Sequence, residues 1–478
     1  MDNGFAIFNQ VRISRMDMLM GFAQVSSSGV YTKQNGAEKI AFGIMLDVRA
    51  RICINSAYVL ARALTISIRY SCVRVQGFVD NAGKSPVEHS VIEYPTQQRI
   101  LMPLLSMTYA LHFTGIDVKE SYHNYITTSD SSLLSELHAT SAGLKAYITT
   151  IVSEGMESCR KMCGGHGFLV NAGFADLYSS YLPFSTLEGT KEVLQQQMGR
   201  YLLKQYVTAL SSTNKKEKER TKMSPSTAYL LDLLLVQKKQ YMDFTLLLKV
   251  SETSFRTISN TEFDLIEKDI FRACRLRALW CISIAAAAVQ KAKTRAKVQK
   301  KQVTFSSSST ASILPSTLFS SFFLHKPNST LSSGSVGKNQ SQNVSPSSSH
   351  LESSGLDPLL AASVELCAAA EAHSELLILQ SFSLGIRKQI DRGGGGGGKE
   401  RSNTTSTSTA GILSNSSSSD SGTSNDPTTI LSSLGIEEIQ SLRTMFVLLA
   451  MNMIGRSSGQ FLASGAISLR DFPVIGTM

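Results

Sequence analysis

Between Asn35 and Val75 the chain has no proline and only Gly36 and Gly43, and Ile52, Val59, Leu60, Ala63 and Ile66 recur at helical spacing. This pattern predicts a first long helix after an irregular start. A second is expected from about Thr96 to Tyr125, and a third from Ser132 to Cys163, where Gly164 and Gly165 supply the stop. A fourth begins near Gly189, with Leu194, Met198, Tyr201, Leu202 and Val207 on roughly one face. Four long helices joined by short or medium loops imply an antiparallel bundle. Beyond Lys222 the period is again helical, most clearly in "FDLIEKDIFRACRLRALWCISIAAAAV", and predicts a second bundle.

Two stretches abandon this pattern. Residues 306–354 are serine-rich, and 393–433 open on six glycines and continue through serine, threonine and asparagine. Such segments bury too little apolar surface to offset their ordering entropy and read as disordered insertions. The organisation expected is an irregular segment at 1–34, a first helical bundle at 35–210, a charged linker at 211–222, and a second bundle at 223–478 broken by the two insertions. The fold class is all-α.

Composition narrows the function classes. Hydrophobic residues make up 42% of the 478, enough for a sizeable core. The longest apolar stretch, Ala278 to Val289, is well short of the ~20 residues a span needs, so no membrane span is expected. The first residues lack a basic segment followed by an apolar one, which argues against secretion. Seven scattered cysteines suit reduced core thiols. Cys159, Cys163 and His166 have a spacing that could ligate zinc, but no fourth ligand cluster follows, and no metal is expected. Much of the net charge of +10 sits in "NKKEKERTK" and "KAKTRAKVQKK". The first reads as a solvated linker and the second as the basic end of a helix. Neither has the interleaved aromatics of a nucleic-acid platform, and no nucleic-acid partner is expected.

The chemistry-bearing stretch is "CGGHGFLVNAGFADLYSSYLPFSTLEGTKEVLQQQ", a connection of about two dozen residues between the third and fourth helices, long enough to suggest function. Its adjacent glycines allow backbone N–H groups to approach an anion, or simply cap a helix. Glu188 is either a helix-start acid or a proton acceptor.

"CRKMCGGHGF" followed by "LPFSTLEGTKEVLQQQMGRYLLK" resembles the C-terminal signature of acyl-CoA oxidases, the peroxisomal branch of the acyl-CoA dehydrogenase superfamily. "DNGFAIFNQVRISRMDMLMGFAQV", "TISIRYSCVRVQ", "YPTQQRILMPLLSMTYALHFTG" and "ELHATSAGLKAYIT" resemble successive segments of that family in the same order, and "SVELCAAAEAH" and "GQFLASGAISL" resemble its second helical domain more loosely. The resemblance implies that 1–34 continue a middle β-domain and that the family's N-terminal helical domain and most of the flavin cradle lie outside this chain. It implies FAD as cofactor, a fatty acyl-CoA and O2 as substrates, a trans-2-enoyl-CoA and hydrogen peroxide as products, a homodimer, and a peroxisomal location, although the chain does not finish on a Ser-Lys-Leu type tail.

By the same resemblance Glu188 is the catalytic base, while Arg74, Gly164 and Gly165 reach the FAD of the neighbouring subunit near its pyrophosphate. An arginine fork suits a diphosphate. Thr190 and Glu192 follow the base in a pattern closer to the dehydrogenases, whose "EGT" turn touches flavin; acyl-CoA oxidases commonly carry a glutamate and an asparagine after the glycine, where Thr190 and Lys191 stand here. The alternatives are a dehydrogenase that passes electrons to a partner flavoprotein, and a helical fragment that folds without flavin.

Overall fold

The computed structural model describes residues 4–21, 23–33, 37–79, 87–128, 130–213, 223–235, 258–306, 357–393 and 434–466. Most of the 211–222 linker and both expected insertions lie outside the described residues. The chain forms two compact units, one of residues 1–285 and 364–478, the other of residues 286–363.

The expected helices form close to their predicted bounds: α1 Ala37–Val73, α2 Pro95–Thr128 and α3 Ser131–Met162. Local chemistry sets their ends. Pro95 opens α2, where its missing N–H is not needed. Asp130 caps α3 by accepting the Ser132 N–H at 2.8 Å. Gly164, at φ +56°, supplies the left-handed residue that stops α3. The connection beyond it is more ordered than a plain loop: two 3-10 turns lead into α4 (Phe174–Tyr181), and a third, Leu182–Ser185, precedes α5 (Lys191–Thr213). A short α6 (Tyr229–Leu235) packs on α5.

Two small antiparallel hairpins accompany the helices. β1 (Ala23–Val25) pairs with β2 (Tyr31–Lys33), and β3 (Val75–Val79) pairs with β4 (Val87–Ser90) between α1 and α2. The second hairpin interrupts what the sequence pattern treats as a plain connection; its strands are too short for alternation to register.

α1 packs along both α2 and α3, and α5 lies chiefly on α3. Gly115 on α2 faces Ile54 on α1, and Ser67 Oγ donates to the Cys159 carbonyl of α3 at 2.7 Å, so α1 runs antiparallel to α2 and alongside α3 in the same sense. By length and composition alone, α1 from Gly43 to Val73 could cross a membrane. In the structure Leu46, Ala50, Cys53, Leu60 and Leu64 are instead buried against the neighbouring helices.

The later helices are α7 (Asn260–Ser306), α8 (Ser363–Gly393), α9 (Ile436–Arg456) and α10 (Ser458–Ala463). Within the first unit an aromatic cluster ties them to α2: Phe113 stacks on Phe382, which meets Phe446 edge-on, and Phe446 in turn meets Phe263. A buried polar chain adds specificity. Arg277 on α7 pairs with Glu375 on α8, Tyr147 of α3 donates to that carboxylate at 2.8 Å, and the guanidinium lies over Phe461 of α10. In the second unit, residues 286–306 continue α7 through the lysine-rich run, and Asp357 caps a helical turn at Pro358–Ala361.

Candidate functional site

The six residues singled out in the sequence fall into two groups. Arg74, Gly164 and Gly165 gather where α1 and α3 end. Ser71 at the end of α1 accepts from Gln97 of α2, whose amide also donates to the Met162 carbonyl that closes α3. Tyr70 Oη and His166 Nδ1, 3.0 Å apart, fasten the Gly164–Phe168 turn to α1. Arg74 is exposed, held by its backbone between Tyr70 and Val91. Gly164 and Gly165 are exposed, and a methyl group added at either would meet nothing within 4 Å, so their backbone faces open space.

Glu188, Thr190 and Glu192 stand well along the bundle from that end, where the turn meets the first third of α1 at Arg49 and the middle of α3 at Lys145. Arg49, which touches Glu188, and Tyr70, which touches the glycine turn, are twenty-one residues apart on α1, roughly 32 Å at ~1.5 Å per residue. Within one chain the two groups therefore cannot share one small reacting centre.

Glu188 sits in a turn between the 3-10 segment Leu182–Ser185 and α5, with φ +61°. Only Gln10 shares a positive φ among the described non-glycine residues. Gly189 follows at φ +116°. Successive left-handed residues fold the turn back so that its carbonyls point into the bundle. Glu188 is half-buried, and the neighbouring Leu187 is 48% exposed. Thr190 and Glu192 are exposed; the Thr190 carbonyl accepts the Leu194 N–H at 3.1 Å and begins α5.

Beneath this turn lie two cations that sequence reasoning did not single out. Arg49 of α1 is 2% exposed, and its Nη2 donates to the Glu188 carbonyl at 3.1 Å. Lys145 of α3 is fully buried, and its Nζ donates to the Gly189 carbonyl at 2.7 Å. Burial pushes the Lys145 ammonium down to about 8, and the neighbouring Arg49 charge pushes the same way. Burial likewise lowers Arg49, against the pull of Glu188. The Nε and Nη1 of Arg49 have no partner among the described residues. Each cation breaks an apolar helical face, "IMLDVRARICI" and "AGLKAYI", and that break is the signal by which they could have been found.

A cavity of about 310 Å³ opens beside this turn, lined by Ile52, Asn55, Tyr58, Val59 and Arg62 of α1 with Tyr181 and Phe184 of the connecting segment. Tyr181 is fixed by a 2.7 Å bond to Ser56 Oγ. The thiols of Cys159 and Cys163 point into the α1–α3 interface, where burial pushes Cys159 up to about 12, while His166 is engaged with Tyr70.

Long helices with a structured, carboxylate-bearing connection before α5 define a helical-bundle domain. More narrowly, residues 42–203 match the family model "Acyl-CoA oxidase, C-alpha1 domain". The chain is 42% identical over 207 residues to peroxisomal acyl-coenzyme A oxidase 1 of Arabidopsis thaliana, covering 43% of this chain and 31% of the relative. It is 41% identical over 209 residues to the Rattus norvegicus protein of the same name, with the same coverage. Among solved structures, Arabidopsis thaliana acyl-CoA oxidase 1 superposes with a TM-score of 0.65 at 24% identity, over 98% of this chain and 52% of that one. Acyl-CoA oxidase-1 of Caenorhabditis elegans, complexed with FAD and ATP, superposes at 0.62 and 20% identity, over 98% and 50%. The chain thus spans about a third of the curated relatives it matches and about half of the solved chains.

Proposed function

We propose that the chain is the C-terminal part of a FAD-dependent acyl-CoA oxidase, which converts a fatty acyl-CoA to a trans-2-enoyl-CoA and reduces O2 to hydrogen peroxide in peroxisomal β-oxidation. The observation that carries the reading is Glu188, a lone carboxylate on a strained turn over Arg49 and Lys145, beside a largely apolar cavity. Its role is to take the α-proton of the thioester. Arg49 and Lys145 hold the turn's carbonyls, and the Ile52, Val59 and Phe184 side of the cavity suits an acyl chain.

Flavin, when bound, accepts the β-hydrogen as hydride. The residues here suit it: the exposed Arg74 guanidinium has no partner among the described residues and stands at the same end of the bundle as the open backbone of Gly164 and Gly165, a pairing suited to a diphosphate. The separation of Tyr70 and Arg49 along α1, roughly 32 Å at ~1.5 Å per residue, favours a homodimer in which the two groups they touch serve different centres, with Thr190 and Glu192 near the flavin of their own subunit. Oxygen uptake with palmitoyl-CoA, measured on the chain saturated with FAD, tests the reading. Peroxide formed in step with enoyl-CoA supports it, and flavin reduction that awaits an added electron acceptor would mark a dehydrogenase.

A further inference from the structure

Lys145 is fully buried on α3, and no carboxylate pairs with it at hydrogen-bond distance among the described residues. Its Nζ donates to the Gly189 carbonyl at 2.7 Å and lies 3.4 Å from the Ser185 carbonyl, so it bridges the two sides of the turn that carries Glu188. The titratable groups around it are Arg49 and Cys53 from α1 and Glu188 from the turn itself, the buried Cys53 thiol being neutral. Close by on the same helix, Ala142 and Ala146 form an apolar cluster with Leu194. An ammonium at such a position is costly to bury, and an apolar side chain would fill it more favourably for stability alone. What it contributes is aim. The turn has a left-handed Glu188 followed by Gly189, a conformation that persists only when its surroundings over-determine it.

We propose that Lys145 is a positioning residue for the proton-abstraction step: by bonding the carbonyls of Ser185 and Gly189 it locks the intervening turn so that the Glu188 carboxylate keeps one direction. The inference rests on the reading of Glu188 as the base. Arg49, holding the Glu188 carbonyl from the opposite helix, completes the clamp.

The test replaces Lys145 in the full chain. Lys145→Met keeps the length and removes the donors. It should leave the flavin spectrum and the KM for palmitoyl-CoA within about threefold of the parent, lower kcat on the order of 10–100-fold, and raise backbone hydrogen exchange at 186–190 about tenfold with the rest of the bundle unchanged. Lys145→Ala leaves a cavity for an added primary amine, and n-propylammonium should restore part of both kcat and exchange protection. Parent-like exchange at 186–190 in Lys145→Met would overturn the proposal. So would a kcat loss matched by faster exchange throughout, or an alanine variant indifferent to the amine. If the full-length oxidase that contains this chain makes no peroxide, the reading of Glu188 fails, and the exchange comparison still decides whether Lys145 holds the turn.

Discussion

The left-handed backbone of Glu188 has a measurable stability cost. A non-glycine residue in that region costs about 1–2 kcal/mol, and glycine relieves it at a penalty of about 0.5–1 kcal/mol in unfolded-chain entropy. Comparing a Glu188→Gly variant with the parent would confound this relief with loss of the charge that faces Arg49 and Lys145. The useful comparison is with Glu188→Gln, which removes the same charge but keeps a side chain on the strained backbone. The glycine variant should be the more stable of the two by about 1 kcal/mol, or about 2 °C in melting temperature for a unit of this size. On the proposed role of Glu188 neither variant should oxidise acyl-CoA, and the stability difference is read without interference from turnover. Paired thermal and urea melts at fixed protein concentration make the measurement. A glutamine variant as stable as the glycine variant would refute the argument that the turn stores strain.

Other consequences reach beyond the site. His373 is fully buried against Tyr229, and burial pushes its imidazole down to about 3 from the ordinary 6.5. Below pH 6.5 the unfolded chain takes up a proton that the folded chain refuses, so stability should fall toward pH 3 by up to about 1.4 kcal/mol per pH unit. His373→Leu should remove that one-proton slope from urea melts between pH 6.5 and 4, and an unchanged slope would contradict the assignment. Arg277→Met would leave the Glu375 carboxylate buried with only Tyr147 as donor, a loss of about 3–5 kcal/mol in denaturant unfolding; a loss below about 1 kcal/mol would show that the pair is not sequestered. At the α1–α2 crossing, a methyl group on Gly115 would lie 2.6 Å from the Ile54 Cα. Gly115→Ala should therefore cost about 1–3 kcal/mol in the same assay, and a neutral result would mean that the helices can part freely.

The long helices were legible because their apolar positions repeat over many turns, as at Ile52, Val59, Leu60 and Ala63 in α1, and because glycines stand where α3 stops. The hairpin at Val75–Ser90 was not: its strands are four or five residues long, and Gly77 sits at φ +87° in a bulged register that hides alternation. The short helix Phe174–Tyr181 was read as loop because glycines and a proline flank it closely. At the site, the carboxylate was visible through the surrounding motif, but its supports were not. Arg49 and Lys145 lie 139 and 43 residues before Glu188, and no local pattern says to which turn of which helix a loop will return. Nor could spacing reveal that Arg74, Gly164 and Gly165 collect at one end of the bundle, well away from Glu188, since that follows from the parallel run of α1 and α3.

The central claim is that Glu188 takes the proton. The direct test is peroxide release from palmitoyl-CoA by the full-length oxidase that contains this chain, loaded with FAD, set beside Glu188→Gln at equal flavin occupancy. The account predicts turnover in the parent and a loss of at least about a thousandfold in the variant, with the flavin spectrum unchanged. Comparable turnover in the two proteins would contradict it.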